Sequence, residues 1–284
     1  MLKMNIRLNM IKRHKGSSID SLQKWDITRR YKAFSHVLIL SCLGLLASWA
    51  VFSTVVPGTD WHRMGGIQSM ATTLARFLPP DINILPELVK PALETILIAV
   101  IGTIFGAVIS LPIALLGAVN ISPLGRLGYI LARGLMTISR SIHEIIWALI
   151  FVSAVGLGSF AGILALAGRS IGFISKVISE SIERIDGGPI EAISSVGGNK
   201  IHVILHGIFP QIMPITISTI IFEWDVNINR AAVLGLVGAG GLGLSFHNQF
   251  IASNFSGITT VLVVILFIIL SGEAISAFLR KKLT

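Results

Sequence analysis

A chain of 284 residues that is 53% hydrophobic and only 13% charged, with mean hydropathy +0.80, carries more apolar surface than one water-soluble core can hide, so it belongs in lipid. The formal net charge of +9 invites a nucleic-acid reading, but its placement argues against a groove, because residues 1–36 hold nine Lys/Arg against two acids and the chain closes on Arg280-Lys281-Lys282, flanking hydrophobic spans. Basic flanks of hydrophobic spans are topological signals, and they place both ends in the cytoplasm, in reach of anionic lipid.

A span needs roughly 20 mainly apolar residues, and runs free of Asp, Glu, Lys and Arg at 37–56, 95–125, 145–168, 201–222 and 231–272 mark where spans lie. Residues 1–36 form a basic cytoplasmic segment, and the first span is 37–56, ending at Pro57-Gly58. It contains Cys42, the one cysteine, which excludes an intrachain disulfide and reads as a small packing residue. Thr28-Arg29-Arg30-Tyr31-Lys32 resembles a twin-arginine export signal, but the apolar run after it is longer than a signal core, so an uncleaved anchor is expected.

The loop 57–90, with three basic and three acidic residues, is expected outside. The second span begins at Pro91, a favourable first helical position, and a cytoplasmic turn follows at Asn120-Ile121-Ser122-Pro123. Residues 127–156 carry Arg133, Arg140, His143 and Glu144 before a cleaner apolar half, which predicts a helix with an irregular place around Ser139 to Glu144. Gly156-Leu157-Gly158 turns outside, and 159–178 returns with Arg169 inside it.

Residues 179–200 are the most polar interior region and are cytoplasmic by the count of crossings. The fifth span, 201–222, carries Pro210 and Pro214 and should bend. After Glu223, Asp225 and Arg230 comes a glycine-rich stretch, and a sixth span over about 257–279 leads to a basic cytoplasmic tail at 280–284. The predicted fold is an all-α integral membrane protein of six transmembrane helices.

Several motifs have a dull reading that outweighs the chemical one. Gly238, Gly240 and Gly243 satisfy G-x-G-x-x-G, but within a 42-residue run free of formal charge they lack the strand, helix and distant acid of a dinucleotide site. They fit better as helix breakers that allow close packing. His202 and His206 share a helical face, yet no Cys, Asp or Glu adjoins them to complete a metal site. Ser139, Ser141, His143 and Glu144 hold the residue types of a hydrolase triad, but near neighbours in one helix rarely reach its geometry.

Charges at membrane depth are a different matter, since each costs at least about 2.5 kcal/mol to insert and must face protein or water. Arg140, Glu144, Arg169, Glu223, Asp225 and Arg230 are the candidates for a polar pathway, in which Arg169 and Arg230 would meet an anionic solute. Interfacial placement or mutual neutralisation is the bland alternative for each.

The polar island "IEAISSVGGNK" at 190–200 has its own punctuation. Gly187-Gly188 breaks the incoming helix, Pro189 suits a first turn, Glu191 complements the helix dipole, and Gly197-Gly198 stops it. A two-turn cytoplasmic helix results, with Ile190, Ala192, Ile193 and Val196 in need of cover.

Glu191-Ala192-Ile193, then Gly197, then Phe209-Pro210 resembles the EAA signature of ABC importer permeases: E-A-A, three residues, G, nine residues, I-x-L-P. Spacing is retained; Ile193 replaces the third Ala, Gly207 the Ile and Phe209 the Leu. From about 91 to 279 the chain resembles the phosphonate transporter permease subfamily. The passages "LPIALLGAVNISP" at 111–123, "RSIHE" at 140–144 through "AVGLGSFAG" at 154–162, and "VLGLVGAGGLG" at 233–243 carry this. It departs at His143, where relatives commonly have Pro, and at Asn229-Arg230, where they commonly place Arg two residues after the Asn matching Asn227.

The resemblance implies a type I ABC importer permease core of five transmembrane helices over 91–279, of the methionine permease kind, with an extra N-terminal helix. The island becomes the coupling helix, about 188–199, that docks on a cytoplasmic ATPase through Pro189, Glu191, Ala192, Gly197, Gly198 and Pro210. Asn227 joins Arg140, Glu144, Arg169, Glu223, Asp225 and Arg230 as a pathway candidate. The implied assembly is two permease chains, an ABC ATPase dimer and an external solute-binding protein in a bacterial inner membrane. This chain has no G-x-x-x-x-G-K-[ST] loop and carries no cofactor of its own; ATP and Mg belong to the ATPase. The implied solute is phosphonate or a related oxyanion such as phosphite, hypophosphite or a phosphate ester. The alternatives are an importer of another small solute such as methionine, or a secondary transporter, which would more often show internal inverted repeats.

Overall fold

The computed structural model describes residues 35–58 and 66–283. Most of the basic segment expected over 1–36 lies outside the described residues, as do 59–65 of the loop expected over 57–90. Every regular element among the described residues is helical. The chain divides into two units, 1–70 and 71–284.

In the first unit, α1 (Ser35–Gly58) has 24 residues, about 36 Å at 1.5 Å per residue and enough for a hydrocarbon core about 30 Å thick. Near its end the helix widens to a π-turn over Val51–Val55, where the Val56 N–H donates to the Val51 carbonyl. Pro57 has no N–H and its ring crowds the carbonyl four residues earlier, which the wider turn accommodates. Cys42, expected to pack, is exposed instead. The segment expected as a loop carries a short helix, α2 (Ile67–Ala75).

In the second unit, α3 (Leu85–Leu116) starts six residues before the expected Pro91. Asp81 accepts from the Asn83 N–H and caps a 3₁₀ turn at Ile82–Ile84 that runs into the helix, where Pro86 takes the early position assigned to Pro91. Pro91 and Pro112 both lie within α3.

The irregular place expected near Ser139 is a break. α4 (Gly125–Ser141) and α5 (Glu144–Val155) meet at 94°. Ile142 and His143 are extended, the His143 ring accepts from the Ile145 N–H, and the Trp147 indole donates back to the Ser139 carbonyl at 3.3 Å. Among the described residues, five helices are long and apolar enough to cross a membrane, and the expected six are reached by counting the bent α4/α5 pair as one span.

α6 (Ser159–Ile182) is the centre of the bundle, packed by α3, α4, α5 and the helix beyond it. Small residues let it approach α3: a Cβ on Gly106 would fall 2.7 Å from that of Ser170. Ile98, Leu166, Ile228 and Leu234 fill one core, and Ile174, Ile178, Ile208 and Ile212 another.

After α7 (Gly188–Ser195), the helix α8 (Lys200–Val237) is far longer than the expected 201–222. It widens to a π-turn at Val203–Ile208 just before Pro210, carries Pro214 within it, and keeps Glu223, Asp225 and Arg230 in one helix. Gly238, Gly240 and Gly241 then take positive φ, turning the chain into α9 (Gly241–Ile251). The last helix, α10 (Phe255–Leu283), begins two residues before the expected 257, and Arg280, Lys281 and Lys282 of the expected basic tail form its final turn. Cations there complement the helix dipole.

Candidate functional site

Helical period decides which intramembrane charges meet. At 100° per residue, Glu223, Asn227 and Arg230 share one face of α8, while Asp225 points away. Glu223 is buried (1% exposed), and its Oε1 accepts from Arg230 Nη1 at 2.7 Å and from the Ser170 hydroxyl at 2.9 Å. Asn227 accepts from Arg230 Nη1 at 3.0 Å and donates to Thr103 and Ser170, both at 2.9 Å. Three helices, α3, α6 and α8, thus share one satisfied polar net.

The broken α4/α5 segment completes the site. Glu144, in the first turn of α5, lies 3.7 Å from Arg230 Nε through one oxygen and 3.8 Å from Arg169 Nε through the other. His143 Nε2 is 3.7 Å from the same carboxylate. Arg169 Nη1 is buried and has no hydrogen-bond partner among the described residues. The two arginines and two glutamates balance formally, while Glu144, Arg169 and Arg230 each keep a partly exposed side chain.

Of the predicted pathway residues, Glu144, Arg169, Glu223, Asn227 and Arg230 come together. Asp225 does not: it pairs with Arg280 of α10 at 3.9 Å. Arg140 makes no ion pair among the described residues, and its stem lies against α6 so closely that a Cβ on Gly172 would fall 2.8 Å from its Cγ. The offset Asn229-Arg230 has a geometric meaning: an arginine two residues after Asn227 would point some 200° round the helix, whereas Arg230 lies in line with Glu223.

Thr103 and Ser170 were not singled out in the sequence. Ser170 adjoins Arg169, a usable signal; Thr103 sits in an uncharged run and has none. The Ser139 hydroxyl donates to the Gly168 carbonyl and accepts from the Gly172 N–H, tying α4 to the α6 backbone. A second ionic group lies where α3 and α6 end: Arg133 donates to the Gly117 carbonyl and to Glu183, which also accepts from the Val119 N–H. His202 and His206 face each other, but no three-residue metal cluster occurs among the described residues.

The island folds as its punctuation predicts. Pro189 stands in the first turn of α7 with Glu191, and the Gly188 N–H donates to Asp186. Gly197 adopts φ +81° and the Gly198 N–H returns to the Ile193 carbonyl at 2.9 Å, a glycine-closed helix end. Ile190 and Ile193 turn inward over Gly207: a Cβ there would fall 3.2 Å from Ile193 Cδ1. The large residue at 193 and the small one at 207, both departures from the EAA pattern, therefore compensate each other in volume. Part of the apolar face is covered by the chain itself, while Glu191, Ala192, Ser195 and Val196 stay exposed.

Residues 110–284 match the family described as "Binding-protein-dependent transport system inner membrane component". The chain is 33% identical over 251 residues to the phosphite transport system permease protein PtxC of Stutzerimonas stutzeri, a match spanning 88% of this chain and 90% of that one. It is 37% identical over 209 residues to the phosphate-import permease protein PhnE of Mycolicibacterium smegmatis, spanning 73% of this chain and 39% of that protein. Among solved structures, a chain of the inward-facing MetNI methionine ABC transporter shares the fold at TM-score 0.62 and 24% identity, covering 72% of this chain and 99% of that chain.

Proposed function

The chain belongs to the family of binding-protein-dependent transport system inner membrane components, and we propose that it is the permease of an ABC importer moving phosphonate, phosphite or a related phosphorus oxyanion. The observation that carries the solute class is the pair of arginines, Arg169 and Arg230, beside one partly exposed carboxylate at membrane depth. Tetrahedral oxyanions suit guanidinium forks, which offer paired donors. The relatives named for phosphite and phosphate transport support the same class.

In this reading the chain translocates and does not hydrolyse. A separate ATPase dimer binds ATP and Mg, an external binding protein delivers solute, and a second permease copy completes the pore, with both termini in the cytoplasm. ATP-driven closure of the ATPases draws the coupling helices together and opens the cavity outward; hydrolysis resets it. Parallel uptake of methylphosphonate, phosphite, phosphate and methionine by the reconstituted system tests the solute class. Accumulation of phosphorus oxyanions is expected, and accumulation of methionine alone would overturn it.

The exposed part of α7 is the proposed ATPase contact, with Pro189, Glu191, Ala192, Gly197 and Gly198 shaping it and Pro210 following the π-turn beneath it. Gly197→Val places a branched side chain at φ +81°, where L residues are strained. This variant and Glu191→Ala are each expected to weaken ATPase association about tenfold or more, the scale of an interface hot spot, with membrane insertion intact. Co-purification and ATPase stimulation check this; unaltered coupling in both variants counts against the assignment.

A further inference from the structure

The two glutamates of the intramembrane cluster hold its arginines in different ways. Glu223 is buried, with close bonds from Arg230 and from Ser170. Asn227 bonds both of those donors in turn. Such a carboxylate is a fixed part of the scaffold: removing it takes the closest counter-charge from a largely buried cation and leaves polar atoms unpaired. Glu144 is held differently. It is 19% exposed, stands 3.7 to 3.8 Å from both arginines, and makes no direct hydrogen bond through its carboxylate among the described residues.

Three further features concern what that position can do. Arg169 Nη1, buried and without a partner, is a donor that the Glu144 geometry leaves unused. Glu144 directly follows the extended residues Ile142 and His143, so its backbone joins a break rather than a rigid helix interior. A carboxylate presents two oxygens in one plane, whereas a phosphorus oxyanion presents its oxygens tetrahedrally and can engage two guanidinium groups and an additional donor at once.

We infer that Glu144 is an internal stand-in anion, occupying between Arg169 and Arg230 the place that the transported oxyanion takes during passage. This rests on the proposed reading of the chain as an oxyanion permease and adds a binding subsite and a displacement step to it. With the solute absent, Glu144 and Glu223 together neutralise Arg169 and Arg230. With the solute present, the oxyanion takes over both arginines and the unused Arg169 donor, and the Glu144 carboxylate swings away at the Ile142–His143 break. Glu223 stays in place throughout and holds Arg230 in line. No covalent bond is made or broken.

Equilibrium binding of radiolabelled methylphosphonate and phosphite to the permease–ATPase complex in nanodiscs, without binding protein, tests this. Glu144→Gln keeps the shape and removes the competing charge, and Glu144→Ala removes both. Each is expected to tighten binding about tenfold, because a site held by its own anion in most molecules shows an affinity reduced by the free fraction. Glu144→Gln combined with Arg169→Gln should lose that gain. Binding in both single variants equal to or weaker than wild type, in complexes that retain their ATPase, would overturn the displacement step. Wild-type uptake of phosphorus oxyanions alongside that result would leave the transport reading standing, whereas a wild-type complex that takes up none of them removes both.

Discussion

Replacing Glu223 with leucine is expected to lower the stability of the purified permease by about 3 kcal/mol, the scale on which breaking a buried ion pair destabilises a fold. The Glu223 side chain is 1% exposed and its Oε1 accepts from both Arg230 and Ser170. Without it, Arg230 keeps only the longer approach to Glu144 and its bond to Asn227, and the Ser170 hydroxyl loses an acceptor. Glu223→Gln retains an acceptor oxygen and should cost less. The double variant Glu223→Leu with Arg230→Met should recover much of the loss, because deleting both members removes the unpaired charge. Thermal unfolding of these three variants and wild type, together with Arg230→Met alone to close the cycle, in one detergent checks this; a Glu223→Leu protein as stable as wild type would show that Arg230 does not depend on this carboxylate.

Gly243→Val is expected to cost about 3 kcal/mol, the upper end of overpacking, and to reduce assembled protein sharply. The end of α8 and the start of α9 cross there backbone to backbone: a Cβ on Gly243 would fall 2.7 Å from Gly235 Cα, and one on Gly235 would fall 2.6 Å from Gly243 Cα. These atoms are main chain and cannot rotate aside, so the helices must separate, loosening Leu242 in its core with Leu88 and Val261. Gly134→Ala is the contrasting case, since a Cβ at this α4 position meets nothing within 4 Å. Alanine there should match or exceed wild-type stability, as alanine is the better helix former. Yield and melting temperature read both changes; a Gly243→Val protein that purifies and melts like wild type would contradict the close crossing.

What was legible in the sequence follows from where the information is local. Charge-free runs located the spans, and charges placed inside an apolar pattern located the break after Ser141. Glycine and proline punctuation delimited α7, whose stop at Gly197-Gly198 takes the form of a positive φ at Gly197. The early start of α3 was missed because a favourable proline recurs: Pro86, helped by Asp81, takes the position assigned to Pro91. The length of α8 was missed for a tertiary reason. Glu223 and Arg230 look like a boundary in one dimension, but they pair with each other and with Ser170 of α6 and Glu144 of α5 within the helix.

The candidate site was half legible for the same reason. Residue type at membrane depth selected the charges, and period alone would have separated Asp225 from Glu223, Asn227 and Arg230. Thr103 carries no signal, since its part depends on a helix 124 residues away in sequence. The exchange of volume between Ile193 and Gly207 is likewise invisible until α7 is seen lying on the start of α8. Read residue by residue, both positions look like erosion of the EAA pattern; in contact, they preserve its packing.

The most direct measurement is uptake of methylphosphonate and phosphite into proteoliposomes holding this permease with its ATPase and binding protein, with ATP supplied or withheld. Accumulation that requires ATP, the ATPase and the binding protein together is the expected result. Uptake undiminished when the ATPase is left out would contradict the account.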